Sequence, residues 1–477
     1  MRRSNVLMRR TRSLSLPALI VFLTTSVFAQ SASQTIDVPA PAGGVDMPAW
    51  SRTVLPNGLV VLMMRQDENP LVHARLTLRA GSASDPKGKE GLASLTAELL
   101  TAGTEKRSAE QIATDTDFVG GQLSATSDAE TTTVTSQFLS RDTARQFDLL
   151  SDVVLRPAFA AAEVDRIRQQ RLGEISALPE NSGRYADIQY ESVLMAGTPY
   201  AHPSLGLKSS VATITRDDVV AFHGAVYAPN NGVLAIVGAF DPAEMIKTVQ
   251  AAFGGWSKHD APAAVKASPA KVTGRRVVVV DYPNLNQAQV RLGAIGIARN
   301  DPDYAAVQVA NAVLSFGFSS RLIEEIRVNR SLTYGIRSRF NAGVQPGTFA
   351  ITTFTKNATT REIIDATLGE VKKFREGPLT DAEVSRSKNI ILSRLTQQLE
   401  TPSGLAGMLT QIEVFGLPKD YVETLAPSIR GITPATLQPI VRKHFPLDDI
   451  VIVVFTTASE TKAQLDGLGT IEMRKAE

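Results

Sequence analysis

The apolar positions of the chain change period several times, and each change marks an element. "WSRTVLPNGLVVLMMRQ", from Trp50, reads as two apolar strands around Pro56-Asn57-Gly58, and Asn-Gly is the strongest short hairpin signal. "VHARLTLRAGS" follows as another strand. "GGQLSATSDAETTTVTSQFL" alternates with period two and is rich in threonine, as antiparallel strands are. Between them, "GLASLTAELLTAGT" carries Leu92, Leu95 and Leu99 at helical spacing, which predicts a helix with one face in a core. "SRDTARQFDLLSDVVL" and "AAAEVDRIRQQRLGEISAL" have the same spacing, and "NGVLAIVGAF" is a buried strand.

The pattern also recurs. "ITRDDVVAFHGAVYAPNNGVLAIV" begins at Ile214 and "ITPATLQPIVRKHFPLDDIVIVVF" at Ile432, an offset of 218 residues. Both open a helix with Ile-Thr, pass an aromatic (Tyr227, Phe445) and a polar turn, and end in a β-branched strand. "AAEVDRIRQQRLGEI" from Ala161 parallels "DAEVSRSKNIILSRL" from Asp381 at an offset of 220. More weakly, the helix around Ser94 maps near Ala312. Near-constant offsets predict two similar domains, 51–255 and 277–472, joined by the Ala/Pro/Lys-rich, unpatterned linker 256–276. Each half has runs of antiparallel strands and helices that do not alternate one for one, so the class is α+β.

The N-terminus reads differently. "MRRSNVLMRRTRS" carries five arginines and no acid, "LSLPALIVFLTTSV" is an apolar run of signal-peptide length, and Val27 and Ala29 are the small residues before a cut. Residues 1–29 are therefore expected to be a cleaved secretory signal, exported by the Sec rather than the twin-arginine route. The run is shorter than the ~20 residues that span a bilayer, and no other segment is long and apolar enough. Residues 30–50, rich in Ser, Pro, Ala and Gly, are expected to be an exposed arm.

Composition narrows the chemistry. The 477 residues are 43% apolar and 21% charged, an ordinary globular balance with room for full cores. Of 50 basic and 48 acidic residues, loss of the leader's five arginines leaves 45 against 48, which gives no reason to expect nucleic acid or anionic membrane as a partner. Cysteine is absent, which excludes disulfides, thiolate zinc sites and a thiol nucleophile. The five histidines, His73, His202, His223, His259 and His444, include no pair at ligand spacing, and no Gly-x-Ser-x-Gly is present.

Two domains with these local motifs resemble the pitrilysin/insulinase family of zinc metallopeptidases over nearly all of the chain beyond the leader. "RAGSASDPKGKEGLASLTAELLTAGT" looks like the family's first-domain signature and "SFGFSSRLIEEIRVNRSLTYGIRS" like its second-domain signature. "YAHPSLG" and "YAPNNGVLAIVG" are also similar to family segments. The resemblance implies two homologous α/β-roll halves in a clam-like arrangement. A working peptidase in this family needs two such pairs facing each other around a chamber.

The family's catalytic motif is His-x-x-Glu-His on a helix: two imidazoles on one face reach one zinc, and the glutamate serves as general base. Aligned through "GLA" and "GT", the histidine positions fall on Ser94 and Glu98, and the base position on Ala97. The later ligand glutamate matches Glu174 in "RLGEISAL". Two carboxylates without nitrogen or sulfur make a poor zinc site, so no cofactor is expected in this chain and no catalytic residue in the chain alone. Ser94 and Glu98 would otherwise be plain polar positions on an amphipathic helix or part of a weak, non-catalytic cation site.

The second-domain motif is intact. In the resembling family the arginine and tyrosine matching Arg327 and Tyr334 come from the domain opposite the zinc and bind the substrate carbonyl. Read without the family, Arg327 would pair with Glu324 on a helix surface and Tyr334 would be a half-buried strand residue. Gly317 in "SFGFSSRL" reads as a close-approach glycine or a helix end. The Gly120–Thr135 stretch resembles the family's peptide-binding edge strand, or is a plain edge protected by Asp128 and Glu130. The expectation is a non-catalytic subunit of a heterodimeric periplasmic peptidase, with zinc in the related partner subunit and short or unfolded peptides as substrate. The alternatives are a structural or peptide-binding relative with no role in proteolysis, and a self-sufficient peptidase with unusual ligands.

Overall fold

The structure, a computed structural model, describes residues 34–38, 47–261 and 269–476. The expected signal sequence and most of the arm lie outside the described residues.

Two sheets are built in succession. The first contains β1 (Gln34–Val38), β2 (Trp50–Val54), β3 (Val60–Arg65), β4 (Leu71–Leu78), β5 (Gln122–Ser127), β6 (Thr132–Leu139) and β7 (Gly232–Gly238), in the order β1-β2-β3-β7-β4-β6-β5. The second contains β8 (Arg276–Asp281), β9 (Gln287–Ile295), β10 (Ile336–Asn341), β11 (Thr348–Lys356), β12 (Val451–Thr456) and β13 (Thr470–Lys475), in the order β10-β11-β9-β12-β8-β13. The core of the two orders is the same. The late strand of each half, β7 or β12, inserts parallel to one early strand and antiparallel to the next. Within the arm, Gln34–Val38 pairs antiparallel with β2.

β7 and β12 are buried at every position because both faces of each sheet are covered. The covering is reciprocal. Six helices carry the argument: α1 (Leu92–Leu99), α2 (Ala161–Ala177), α3 (Ser182–Leu194), α4 (Tyr304–Ser315), α5 (Asp381–Leu399) and α6 (Pro402–Val414). α3 belongs to the first half but packs on β12 and β9 of the second. α6 belongs to the second half but packs on β7 and β4 of the first. Leu405, Leu409 and Ile412 of α6 accordingly share one apolar cluster with Trp50, Leu62 and Val233.

Polar contacts pin the exchange. Tyr190 Oη on α3 donates to Phe349 O at 2.6 Å, and Arg291 Nη2 on β9 donates to Gly183 O at 2.7 Å. Arg52 on β2 forks onto Glu413 of α6, at 2.8 and 2.9 Å. Glu130, in the β5–β6 turn, accepts from the Val344 and Gln345 N–H groups at 2.7 and 3.1 Å. Asp128 and Glu130 thus sit in a turn, and Glu130 bonds the other half. β5 itself is the sheet edge and pairs only with β6 among the described residues.

Candidate functional site

α1 forms where its spacing predicts. Leu92, Leu95 and Leu99 are buried, and Gly91 opens the helix in the left-handed region at φ +103°. The free N–H groups of its first turn find Asp85, whose carboxylate accepts from Gly91 and Ala93 at 2.7 Å each. Burial pushes the Asp85 carboxyl up to about 7, against the downward pull of those N–H groups. The loop ending at Gly206 lies against the start of α1. Gly206 has φ +90°, and a Cβ there would stand 2.3 Å from Glu90 O. Only glycine permits that approach.

The approach sets up Ser94. Its hydroxyl donates to Ser204 O at 2.5 Å. Ser94 Oγ in turn accepts from Arg171 Nη1 on α2 at 2.7 Å. Arg171 Nη2 donates to Glu98 Oε2 at 2.5 Å, and Arg171 Nε lies 3.6 Å from Glu174 Oε2. Gln170 Nε2 also donates to Glu174 Oε1, at 3.1 Å. Ala97 is fully buried. The structure therefore brings Ser94, Glu98 and Glu174 together, and it adds a residue the sequence reading did not single out. Arg171 is only 6% exposed and meets all three. A zinc ion does not fit there: the donor set lacks nitrogen and sulfur, and a nearly buried guanidinium already holds the oxygens.

The second-domain motif has the opposite character. α4 ends at Ser315, and Gly317 follows in the left-handed region at φ +83°, a helix-terminal glycine. Buried Leu322 and Ile326 anchor the next turns, and Ile323–Asn329 is wound as a π-helix. Such widened turns recur at functional sites. Ser331 follows with φ +54°, a conformation few non-glycine residues adopt. Arg321 fixes the base of this segment by forking onto Glu383 of α5, at 2.7 and 3.2 Å.

Arg327 lies in the π-helix with its guanidinium 5.1 Å from the Phe318 ring centre, and no ion pair with Glu324 forms. Tyr334 stands just before β10 and is 82% exposed, so it is not packed in the sheet. Phe318 and Val328 are exposed beside them in sequence. A guanidinium and a phenol, both donors, are left available on a surface with exposed apolar neighbours.

The histidines do not form a second site. His223 and His259 bond backbone carbonyls. Asp301, Asp303 and His444 are the group among the described residues that could hold a cation. There Lys443 Nζ and His444 Nε2 already bond Asp303 Oδ2, at 2.7 and 2.8 Å, and they hold its carboxyl below the usual range.

Two family models match the chain. One, described as insulinase (peptidase family M16), matches residues 60–204; the other, peptidase M16 inactive domain, matches residues 213–391. An uncharacterized zinc protease of Streptomyces coelicolor is 26% identical over 82% of this chain and 86% of its own length. A Helicobacter pylori protein described as a non-peptidase homologue is 24% identical over 82% of this chain and 90% of its own. A Pseudomonas fluorescens crystal structure described as a peptidase M16 inactive domain superposes with a TM-score of 0.80, at 26% identity, over 89% of this chain and 98% of its own.

Proposed function

The chain belongs to the insulinase family, peptidase M16, and we propose that within it the protein is a non-catalytic subunit that completes the active site of a zinc-bearing relative. The observation that carries this reading is an asymmetry. In the first half the metal-ligand positions are tied up by Arg171, whereas in the second half Arg327 and Tyr334 are held out on the surface with no carboxylate partner.

The partner would supply the zinc and its activated water. Arg327 and Tyr334 would each donate a hydrogen bond to the oxygen of the scissile peptide carbonyl. Negative charge grows on that oxygen as water adds, so both bonds strengthen toward the transition state. One such donor is worth about 3 kcal/mol, or ~10²–10³ in turnover. Phe318, stacked on Arg327, and Val328 would meet the partner or its peptide. Export to the periplasm, through the leader at residues 1–29, belongs to the same proposal.

The test is peptidase activity on a quenched peptide library, for the mature chain alone and with the related zinc-bearing chain. Silence alone and chelator-sensitive cleavage together are expected. In the active pair, Tyr334→Phe and Arg327→Gln should each lower kcat by ~10²-fold and leave assembly intact. Unchanged kcat in both variants would refute the role. The description of the Helicobacter relative as a non-peptidase homologue favours a second reading, a structural or peptide-binding protein. That reading predicts a stable complex with no cleavage at all.

A further inference from the structure

The positions that would ligate a metal in this family are not merely depleted here; one side chain gathers them. Arg171 donates to Ser94 Oγ at 2.7 Å and to Glu98 Oε2 at 2.5 Å, and its Nε lies 3.6 Å from Glu174 Oε2. We propose that Arg171 is the resident cation of this site, a protein-borne charge that stands in place of a divalent metal, holds α1 to α2, and keeps metal out.

The chemistry suits a guanidinium. It is permanently charged, planar, and presents five donors in a fixed fork, so one group can serve three oxygens at different angles. Glu98 and Glu174 are two carboxylates on facing helices, and without a cation between them they would repel. Ser94 extends the network: its hydroxyl accepts from Arg171 and donates to Ser204 O, which ties in the loop that ends at Gly206. Arg171 Nη1 also lies 3.4 Å from Leu205 O. A surface ion pair would have none of this depth, yet Arg171 is nearly buried while Glu98 and Glu174 reach toward solvent. A metal ion would have to share the space with a nearly buried positive charge.

This inference rests on the family reading of α1 and α2 but not on any partner. Its test uses the mature chain alone, so it can fail or stand independently of the proposed complex. The chain, with Arg171→Gln, Glu98→Gln, the two combined, and Glu98→Gln/Glu174→Gln, would be dialysed against micromolar zinc chloride, analysed for bound metal, and melted with and without chelator. The wild-type chain should retain no stoichiometric zinc and melt at the same temperature with chelator. Arg171→Gln should lower Tm by several degrees, and Glu98→Gln should recover part of that loss, because the uncompensated carboxylate is then gone. If Arg171→Gln does not fold, Glu98→Gln/Glu174→Gln decides: it should lower Tm by stranding the guanidinium. One zinc per wild-type chain, lost on Glu98→Gln, would overturn the proposal. So would additive Tm losses for Arg171 and Glu98, or an unchanged Tm in Glu98→Gln/Glu174→Gln.

Discussion

Replacing Glu413 by alanine should loosen the exchange of helices between the two halves. Glu413 sits on α6, which the second half lends to the first sheet. Its carboxylate takes a bidentate fork from Arg52 at 2.8 and 2.9 Å and lies 3.7 Å from Arg79. Burial depresses the Arg79 pKa and Glu413 raises it again, so Arg79 relies on this counter-ion. Removing one partner of a fully buried pair costs roughly 3–5 kcal/mol, because a charge is stranded. Here the three side chains keep 17 to 32% of their exposure, so water recovers part of that, and about 2 kcal/mol is expected. Urea unfolding of the mature chain would read the loss as a lower midpoint. A cycle with Arg52→Met separates the pair from the helix packing, and a coupling of at least ~1 kcal/mol is expected. A coupling near zero would show that α6 is held by Leu405, Leu409 and Ile412 alone and would refute the electrostatic part of the seam.

Two further outcomes follow from the geometry of the sites. Burial alone would push the Glu383 carboxyl up, but bonds from Arg321 and from the Thr380 N–H and hydroxyl hold it down at about 2. A depressed carboxyl stabilises the fold above its unfolded pKa, so the base of the Arg327 segment should loosen as pH falls from about 4.5 through about 2; Glu383→Gln should flatten that acid limb in a Tm-versus-pH series. Gly206→Ala should destabilise the chain by more than ~1 kcal/mol, since it meets both a left-handed φ and the Glu90 carbonyl; an unchanged Tm would show that the loop can move off α1.

Much of the fold was legible because period and repeat are local properties. The Pro56-Asn57-Gly58 turn, the Leu92/Leu95/Leu99 face and the equivalent strands β7 and β12 of the two halves all follow from spacing. The helix exchange was not legible. α3 and α6 carry apolar faces that would serve equally well on their own sheets, and nothing in their sequences states which sheet they cover. At the site, alignment of motif positions located Ser94, Glu98 and Glu174 but left Arg171 unmentioned. The signal was present: Arg171 is three residues before Glu174, on the same helix face, and a ligand set turned acidic needs a counter-charge from somewhere nearby. The π-helix around Arg327 carried no signal, because a one-residue widening of a helix leaves the apolar spacing of Leu322 and Ile326 intact.

Arg171 also bears on whether the family's metal motif could simply be built into this chain. Histidines at 94 and 98 with a glutamate at 97 would recreate the motif as a string of letters. The imidazoles would then face a nearly buried guanidinium, and a metal would have to bind beside a fixed positive charge. Position 97 is fully buried, so a carboxylate there would need its own partner. Ser94 has a second tie, to Ser204 O, and its replacement by histidine would release the loop that glycine at 206 lets approach. On the proposed reading, exclusion of metal from this half rests on at least four positions, of which only three belong to the motif. Metal binding by a Ser94→His/Ala97→Glu/Glu98→His chain should therefore require replacement of Arg171 as well.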